Sequence, residues 1–323
     1  MSLRVGLIGR GMAGTVFHAP LIRAAEGLEL VAIAGSAEAA GVIADPDVDL
    51  VVIATPNQTH YPLAEAALEA GKDVVVDKPL AVSVEEADAL IALAAARGRR
   101  LSVFHNRRWD GDFLTVQEVI ASERLGEVML FEAHWDRLRL QIKQGWREVP
   151  ADGAGLLNDL GPHMIDQALL LFGMPEAVMA DVALQRAAAA VDDYFDVTLI
   201  YGRRRVRLCA STLVAAPRPR FAVHGTGGSF VKYGLDPQEA ALKGGGSPGD
   251  VGFGEDDPGS YGVLTLADGV SERVPTRVGR YLGFYEAVAR GEVPVPAADG
   301  RASLHLIDLA RQSARAGRKI PLL

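Results

Sequence analysis

Over its first hundred residues the chain alternates short apolar runs with segments of helical periodicity, and few folds accommodate that rhythm. Strands are expected at residues 4–8, 28–34, 50–54, 73–76 and 101–104, with helices at 12–25, 61–69 and 83–96 between them. Runs such as Val74, Val75 and Val76, apolar at consecutive positions, suit a parallel sheet covered on both faces. The βαβ succession predicts a doubly wound sheet, in which ligands sit beyond the carboxyl ends of the strands. The loops at those ends are therefore where chemistry is sought.

Beyond residue 104 the pattern changes. A helix is expected at 113–122, a strand at 128–135, a helix at 159–172, and strand-like runs through 178–231 whose alternation of apolar and polar residues predicts an antiparallel sheet with one covered face. A Gly- and Pro-rich surface loop follows at 243–262, then closing helices at 281–290 and 302–316. The 323 residues suit two domains. Cys209 is the single cysteine, which excludes a disulfide framework within one chain and fits a reducing compartment. Neither a signal peptide nor an 18-residue apolar span is recognisable, so a cytoplasmic protein without a membrane partner is expected. A net charge of −8 with dispersed arginines argues against nucleic acid.

Gly9-Arg10-Gly11-Met12-Ala13-Gly14 follows the first strand and opens a helix, the context that a dinucleotide fingerprint requires. Gly9 serves the tight turn, Gly11 the approach of a pyrophosphate, and Gly14 close helix packing. An acidic residue about 20 positions further on normally takes the ribose hydroxyls of NAD. Ser36 stands there instead, and Arg10 offers positive charge for a 2′-phosphate, which favours NADP over NAD; otherwise Ser36 is a turn residue. Thr55, Pro56 and Asn57, just past the third strand, are expected to border the cofactor, and His60 either borders it or caps the next helix. Asp77-Lys78-Pro79 closes the fourth strand, with Pro79 restricting the conformation of Lys78. No metal site is expected.

These motifs, with Asn106-Arg107-Arg108-Trp109 and the stretch Gly155-Leu156-Leu157-Asn158-Asp159-Leu160-Gly161-Pro162-His163, resemble the Gfo/Idh/MocA oxidoreductase family over nearly the whole chain. The resemblance implies an α/β protein: an N-terminal Rossmann NAD(P)-binding domain, placed at 1–104, and a C-terminal α/β domain with a large, mostly antiparallel open sheet for substrate binding and dimerisation, placed at 105–323. A homodimer or a dimer of dimers is implied. Two departures stand out. Asp77 replaces the family's glutamate, one methylene shorter. Between the strands ending at Ala34 and beginning near Val48 lie only residues 35–47, where the family places a helix, a strand and a further helical piece; either a strand has been lost or residues are missing from the sequence.

Asp159 and His163 are four residues apart in a helical segment and share a face. An alcohol does not lose its proton unaided at neutral pH, and histidine is the side chain suited to accept it. Asp159 would orient the imidazole, and Lys78 would stabilise the developing alkoxide; the resemblance implies the same three roles. Asn106 is expected near the nicotinamide or substrate, and Trp146 and Arg147 over a polyol. The function expected is NAD(P)-dependent oxidation or reduction at a hydroxyl or carbonyl carbon of a sugar, polyol or related small alcohol. The alternatives are a non-catalytic nucleotide-sensing regulator on the same fold and an NAD-dependent glycosidase.

Overall fold

Five apolar runs of the N-terminal hundred residues become parallel strands: β1 (Leu3–Ile8), β2 (Leu28–Ala34), β3 (Leu50–Ile53), β4 (Asp73–Asp77) and β5 (Leu101–Phe104). The structure is a computed structural model that describes residues 2–142, 145, 148–151 and 153–322. The remaining strands are β6 (Val128–Asp136), β7 (Ala177–Ala183), β8 (Tyr194–Tyr201), β9 (Arg204–Ser211), β10 (Phe221–Gly225), β11 (Gly228–Lys232), β12 (Gly262–Leu266), β13 (Ser271–Val274) and β14 (Ile320–Pro321). The helices are α1 (Ala19–Ala24), α2 (Ala39–Ala44), α3 (His60–Glu69), α4 (Val84–Arg97), α5 (Gly111–Ala121), α6 (Leu156–Phe172), α7 (Gln238–Lys243), α8 (Leu282–Ala289) and α9 (Ala297–Ala316).

The chain divides into two units, neither of them one continuous block. The first comprises Met1–Asp110, Pro237–Gly254 and Gly279–Leu304. Its sheet runs β2-β1-β3-β4-β5, so the chain leaves β1 toward β2 and returns to β3 on the other side, making a switch point between the ends of β1 and β3. Val74, Val75 and Val76 are all buried, as a sheet covered on both faces requires. Helix α4 starts where the Ser83 hydroxyl accepts the Glu86 N–H and stops at Gly98, whose φ of 60° suits glycine. Tyr281, Phe284, Tyr285 and Val288, from late in the chain, complete this core.

One expectation needs correction, and one open alternative meets the structure. The helix expected at 12–25 is divided into a π-helical turn at Ala13–His18 and α1, because Pro20 has no N–H to continue a regular ladder. Residues 35–47 carry no strand: a short 3₁₀ turn at Ser36–Glu38 and α2 make the whole crossover from β2 to β3. The five-stranded sheet thus lacks the additional strand that the family resemblance implied.

The second unit comprises Gly111–Asp236, Glu255–Val278 and His305–Leu323. Its nine strands run β13-β12-β11-β10-β6-β9-β8-β7-β14, antiparallel except for the β6–β9 pair. Phe195, Val197 and Leu199 of β8 enter a core with Phe131, Phe221, Leu157 and Met164. Alternate residues of β8 face the other way, where Asp196 pairs with Arg207 of β9 at 2.5 Å. Cys209 of β9 is fully buried; its thiol accepts from Arg218 at 3.1 Å, and burial pushes the thiol up against that pull.

Candidate functional site

The three fingerprint glycines at the end of β1 have different causes. Gly9 has φ of +141°, and a Cβ on it would lie 2.2 Å from the Ala54 carbonyl oxygen. On Gly14 a Cβ would lie 1.9 Å from the carbonyl oxygen of Gly9. Side chains are thus excluded at both by the chain itself. Gly11 is exposed, and nothing lies within 4 Å of the position its Cβ would take. That open backbone at a switch point fits the close approach of a dinucleotide pyrophosphate. Thr15 folds the turn back by donating from both its N–H and hydroxyl to the Gly11 carbonyl, while Met12 is half exposed beside it.

At the end of β2, Ser36 is exposed and Glu38 comes forward. Glu38 accepts the Gly35 N–H at 2.6 Å and the Arg10 guanidinium at 3.2 Å, and Arg10 also reaches the Ile33 carbonyl at 3.4 Å. The carboxylate missing from position 36 is therefore present two residues later, already engaged with the arginine. Sequence spacing overlooked it; a glutamate three residues after a glycine that opens a turn was the available sign.

At the end of β3, Asn57 is buried and the hydroxyls of Thr55 and Thr59 are 2.7 Å apart. His60 is fully buried, with Nδ1 2.7 Å from the Pro79 carbonyl and Nε2 2.9 Å from the Thr55 carbonyl. It ties the loop after β3 to the loop after β4. Burial pushes its imidazole toward the neutral form, against the pull of those carbonyls and of Asp77.

Asp77 ends β4 and Lys78 follows, half-buried, before a cis Lys78–Pro79 peptide. Burial by itself raises the Asp77 carboxyl, yet His18, Lys78 and His60 outweigh it and hold the group below the usual carboxylate range. Asn106 is buried on the 3₁₀ turn that follows β5. The turn is anchored by Arg107, whose guanidinium reaches the Tyr281 hydroxyl at 2.5 Å, Asp110 at 3.4 Å and the Glu239 carboxylate of α7. Burial opposes the charge on Glu239, but Arg107 and Lys243 hold its pKa at about 2. Thus the expected cofactor residues of the first unit gather along the carboxyl ends of all five of its strands.

The other expected catalytic residues stand on α6 in the second unit. Asp192 begins this helix by accepting the Leu157 N–H at 2.7 Å on its carboxylate and the Leu156 N–H at 2.8 Å on its carbonyl. Gly155, at φ of +92°, must be glycine here, since a Cβ would meet the Asp192 carboxylate at 2.3 Å. Asp159 is half-buried one turn into the helix, and His163 is 7% exposed on the next, its ring stacked on Trp135 at 6.2 Å. Trp146 and Arg147 lie outside the described residues. Their neighbour Glu148 binds the buried Arg186 at 2.8 Å, which also binds Asp193 at 2.7 Å.

Both parts of the chain match known proteins. Residues 37–105 match the NAD-binding Rossmann fold of an oxidoreductase family, and residues 117–322 match that family's C-terminal alpha/beta domain. An uncharacterised oxidoreductase of Escherichia coli, YdgJ, is 46% identical over 97% of each chain. The scyllo-inositol 2-dehydrogenase (NADP(+)) IolW of Bacillus subtilis is 37% identical over 99% of this chain and 96% of its own. The solved structure of yvaA from Bacillus subtilis has a TM-score of 0.96 at 37% identity, covering 100% of this chain and 99% of that one. The aligned stretch with YdgJ is 337 residues, longer than the 323 present here, so the relative carries residues that this chain lacks. With a parallel five-stranded nucleotide-binding sheet, a mostly antiparallel nine-stranded one and family matches across both, the chain belongs to the Gfo/Idh/MocA oxidoreductases.

Proposed function

We propose that the protein is an NAD(P)-dependent dehydrogenase or reductase acting at a secondary hydroxyl of a cyclic polyol or sugar. The observation that carries this reading is Lys78, at the end of β4, on the same strand edge as Gly11, the fingerprint glycine that no neighbour in the chain explains. A bound nicotinamide supplies the acceptor for the pair of electrons that leaves the carbinol carbon with its hydrogen. The chain's own residues handle the oxygen and its proton. Lys78 donates a hydrogen bond to the hydroxyl oxygen and stabilises negative charge as it develops there. His163 takes the proton on a ring nitrogen, and Asp159 orients that ring. Asn106 borders the nicotinamide.

NADP binds at least as tightly as NAD on this reading, because Ser36 brings no charge and the Glu38 carboxylate is held by Arg10, whose guanidinium stands at the adenosine end. The name of the IolW relative, which carries both scyllo-inositol and NADP(+), supports polyol and cofactor alike. We further assign dimerisation to the open face of the nine-stranded sheet; a single-chain mass in analytical ultracentrifugation would argue against it. The deciding experiment screens inositols and aldoses for absorbance change at the nicotinamide band with both cofactors. With a substrate in hand, His163→Ala should lose turnover by roughly 10² to 10⁴, the usual range for a positioned acid/base group. Full turnover in that variant would refute the mechanism.

A further inference from the structure

Three groups of the first unit lie in series behind Lys78. Tyr285 of α8 is fully buried, and its hydroxyl oxygen is 2.5 Å from Nδ1 of His18. His18, fully buried at the end of the π-helical turn, places Nε2 3.8 Å from Oδ1 of Asp77. That same Oδ1 accepts the backbone N–H of Lys78 at 2.9 Å.

The direction of the protons follows from chemistry. Burial, and after it the charge on Asp77, holds the Tyr285 phenol well above its usual range, so its O–H is intact at any ordinary pH. When that O–H donates to Nδ1, the ring's own proton sits on Nε2, facing the carboxylate. A doubly protonated ring also carries a proton on Nε2. The remaining arrangement sets a bare Nε2 lone pair against an anionic oxygen in a site screened from water, which is unfavourable.

We propose that Tyr285 and His18 are positioning residues for the reacting lysine, holding Asp77 as an ordered carboxylate that fixes the Lys78 backbone and supplies the counter-charge to its ammonium. The proposal rests on Lys78 being the group that touches the substrate oxygen. Among the described residues, four titratable groups face Asp77: His18 from the π-helical turn, His60 from α3, Lys78 beside it and Tyr285 from α8. His60 directs both ring nitrogens at the Thr55 and Pro79 carbonyls, which leaves His18 to meet the carboxylate. At 3.8 Å the approach is longer than a hydrogen bond, and the methylene that Asp77 lacks relative to glutamate is of the size that would close it.

The test uses the full-length apoprotein carrying ¹⁵N-histidine and ¹³C-carboxyl aspartate, with His18 and Asp77 signals assigned through His18→Gln and Asp77→Asn. Wild type should show His18 protonated at Nε2, and the Asp77 carboxyl should titrate measurably higher in His18→Gln. Tyr285→Phe, which removes one hydroxyl, should release the fixed tautomer and move the Asp77 midpoint in the same direction should His18→Gln fold poorly. A bare Nε2 in wild type, or an Asp77 midpoint that stays put in a folded variant, overturns the relay. A separate arm follows turnover in Lys78→Met: full activity there sinks the underlying reading of the lysine whatever the spectra show, whereas lost activity with an unmoved Asp77 midpoint sinks the relay alone.

Discussion

At the residue scale, the fingerprint separates into two glycines required by the fold and one, Gly11, that no neighbour in the chain requires. Gly9→Ala places a methyl 2.2 Å from a backbone oxygen in a left-handed conformation and should cost about 2–4 kcal/mol of stability. Gly11→Ala meets no neighbour, so its melting temperature should stay near wild type while cofactor affinity falls at least about tenfold, as a methyl there occupies the space of the pyrophosphate. Calorimetric melting and a fluorescence titration of NADPH on both variants decide the matter; equal affinity in Gly11→Ala would remove the pyrophosphate from this turn. Arg10 and Glu38 make a second test. Arg10→Ala should weaken NADP about tenfold and NAD little, and Glu38→Gln, which frees the guanidinium from its partner, should tighten NADP relative to NAD. Unchanged ratios in both variants would exclude the pair from cofactor choice. The steric need for glycine at positions 9 and 14 was legible because a glycine fingerprint depends on short spacings, and Lys78, Asp159 and His163 could be nominated for the same reason. His18, Tyr285 and Asp192 act through partners distant in the chain, and no local pattern marks them.

At the element scale, α6 matters most, since it carries both Asp159 and His163. Its first turn is held by a residue from the link between β7 and β8 rather than by its own preceding loop, where Gly155 offers no side chain. Asp192→Ala should therefore lower stability by about 1–2 kcal/mol, the cost of a lost cap, with a fall in melting temperature of about 2–4 °C. Turnover should fall with it because the turn that bears Asp159, the orienting residue proposed above, loses its anchor; a variant with unaltered melting and kinetics would show the cap to be dispensable. Strands β2 and β5 were readable to the residue, because a covered parallel strand is a continuous apolar run with abrupt ends. The interruption at Ala13–His18 was not, since periodicity reports which face is apolar and not whether each turn closes on four residues or five. The short crossover was visible as a departure in length, but its solution, one helix and no strand, depended on β3 pairing directly with β1.

At the scale of the whole molecule, neither unit is a contiguous piece of chain. The nucleotide-binding sheet is completed by α7 and α8, which bring Glu239 to Arg107 and Tyr285 to His18. A fragment ending at Asp110 would expose the apolar surface that Tyr281, Phe284, Tyr285 and Val288 cover, at about 1.5–3 kcal/mol for each large side chain. Such a fragment should be unfolded or molten, with poor amide dispersion in NMR and no measurable NADPH binding; a cooperative melt would contradict that. A sequence boundary near residue 104 marks where the parallel strands end, which periodicity can see, and not where the unit's last packing partner arrives, which it cannot.

The burial of Cys209 has a practical consequence. Its thiol is shut inside β9 beside Arg218 and kept from ionising by its surroundings, so native protein presents alkylating reagents with no thiolate of its own. A cysteine placed at exposed Ser36 would be the one position that takes a maleimide dye, without removal of the natural thiol. The adenosine edge of the sheet can in this way carry a single optical reporter in an otherwise unaltered chain.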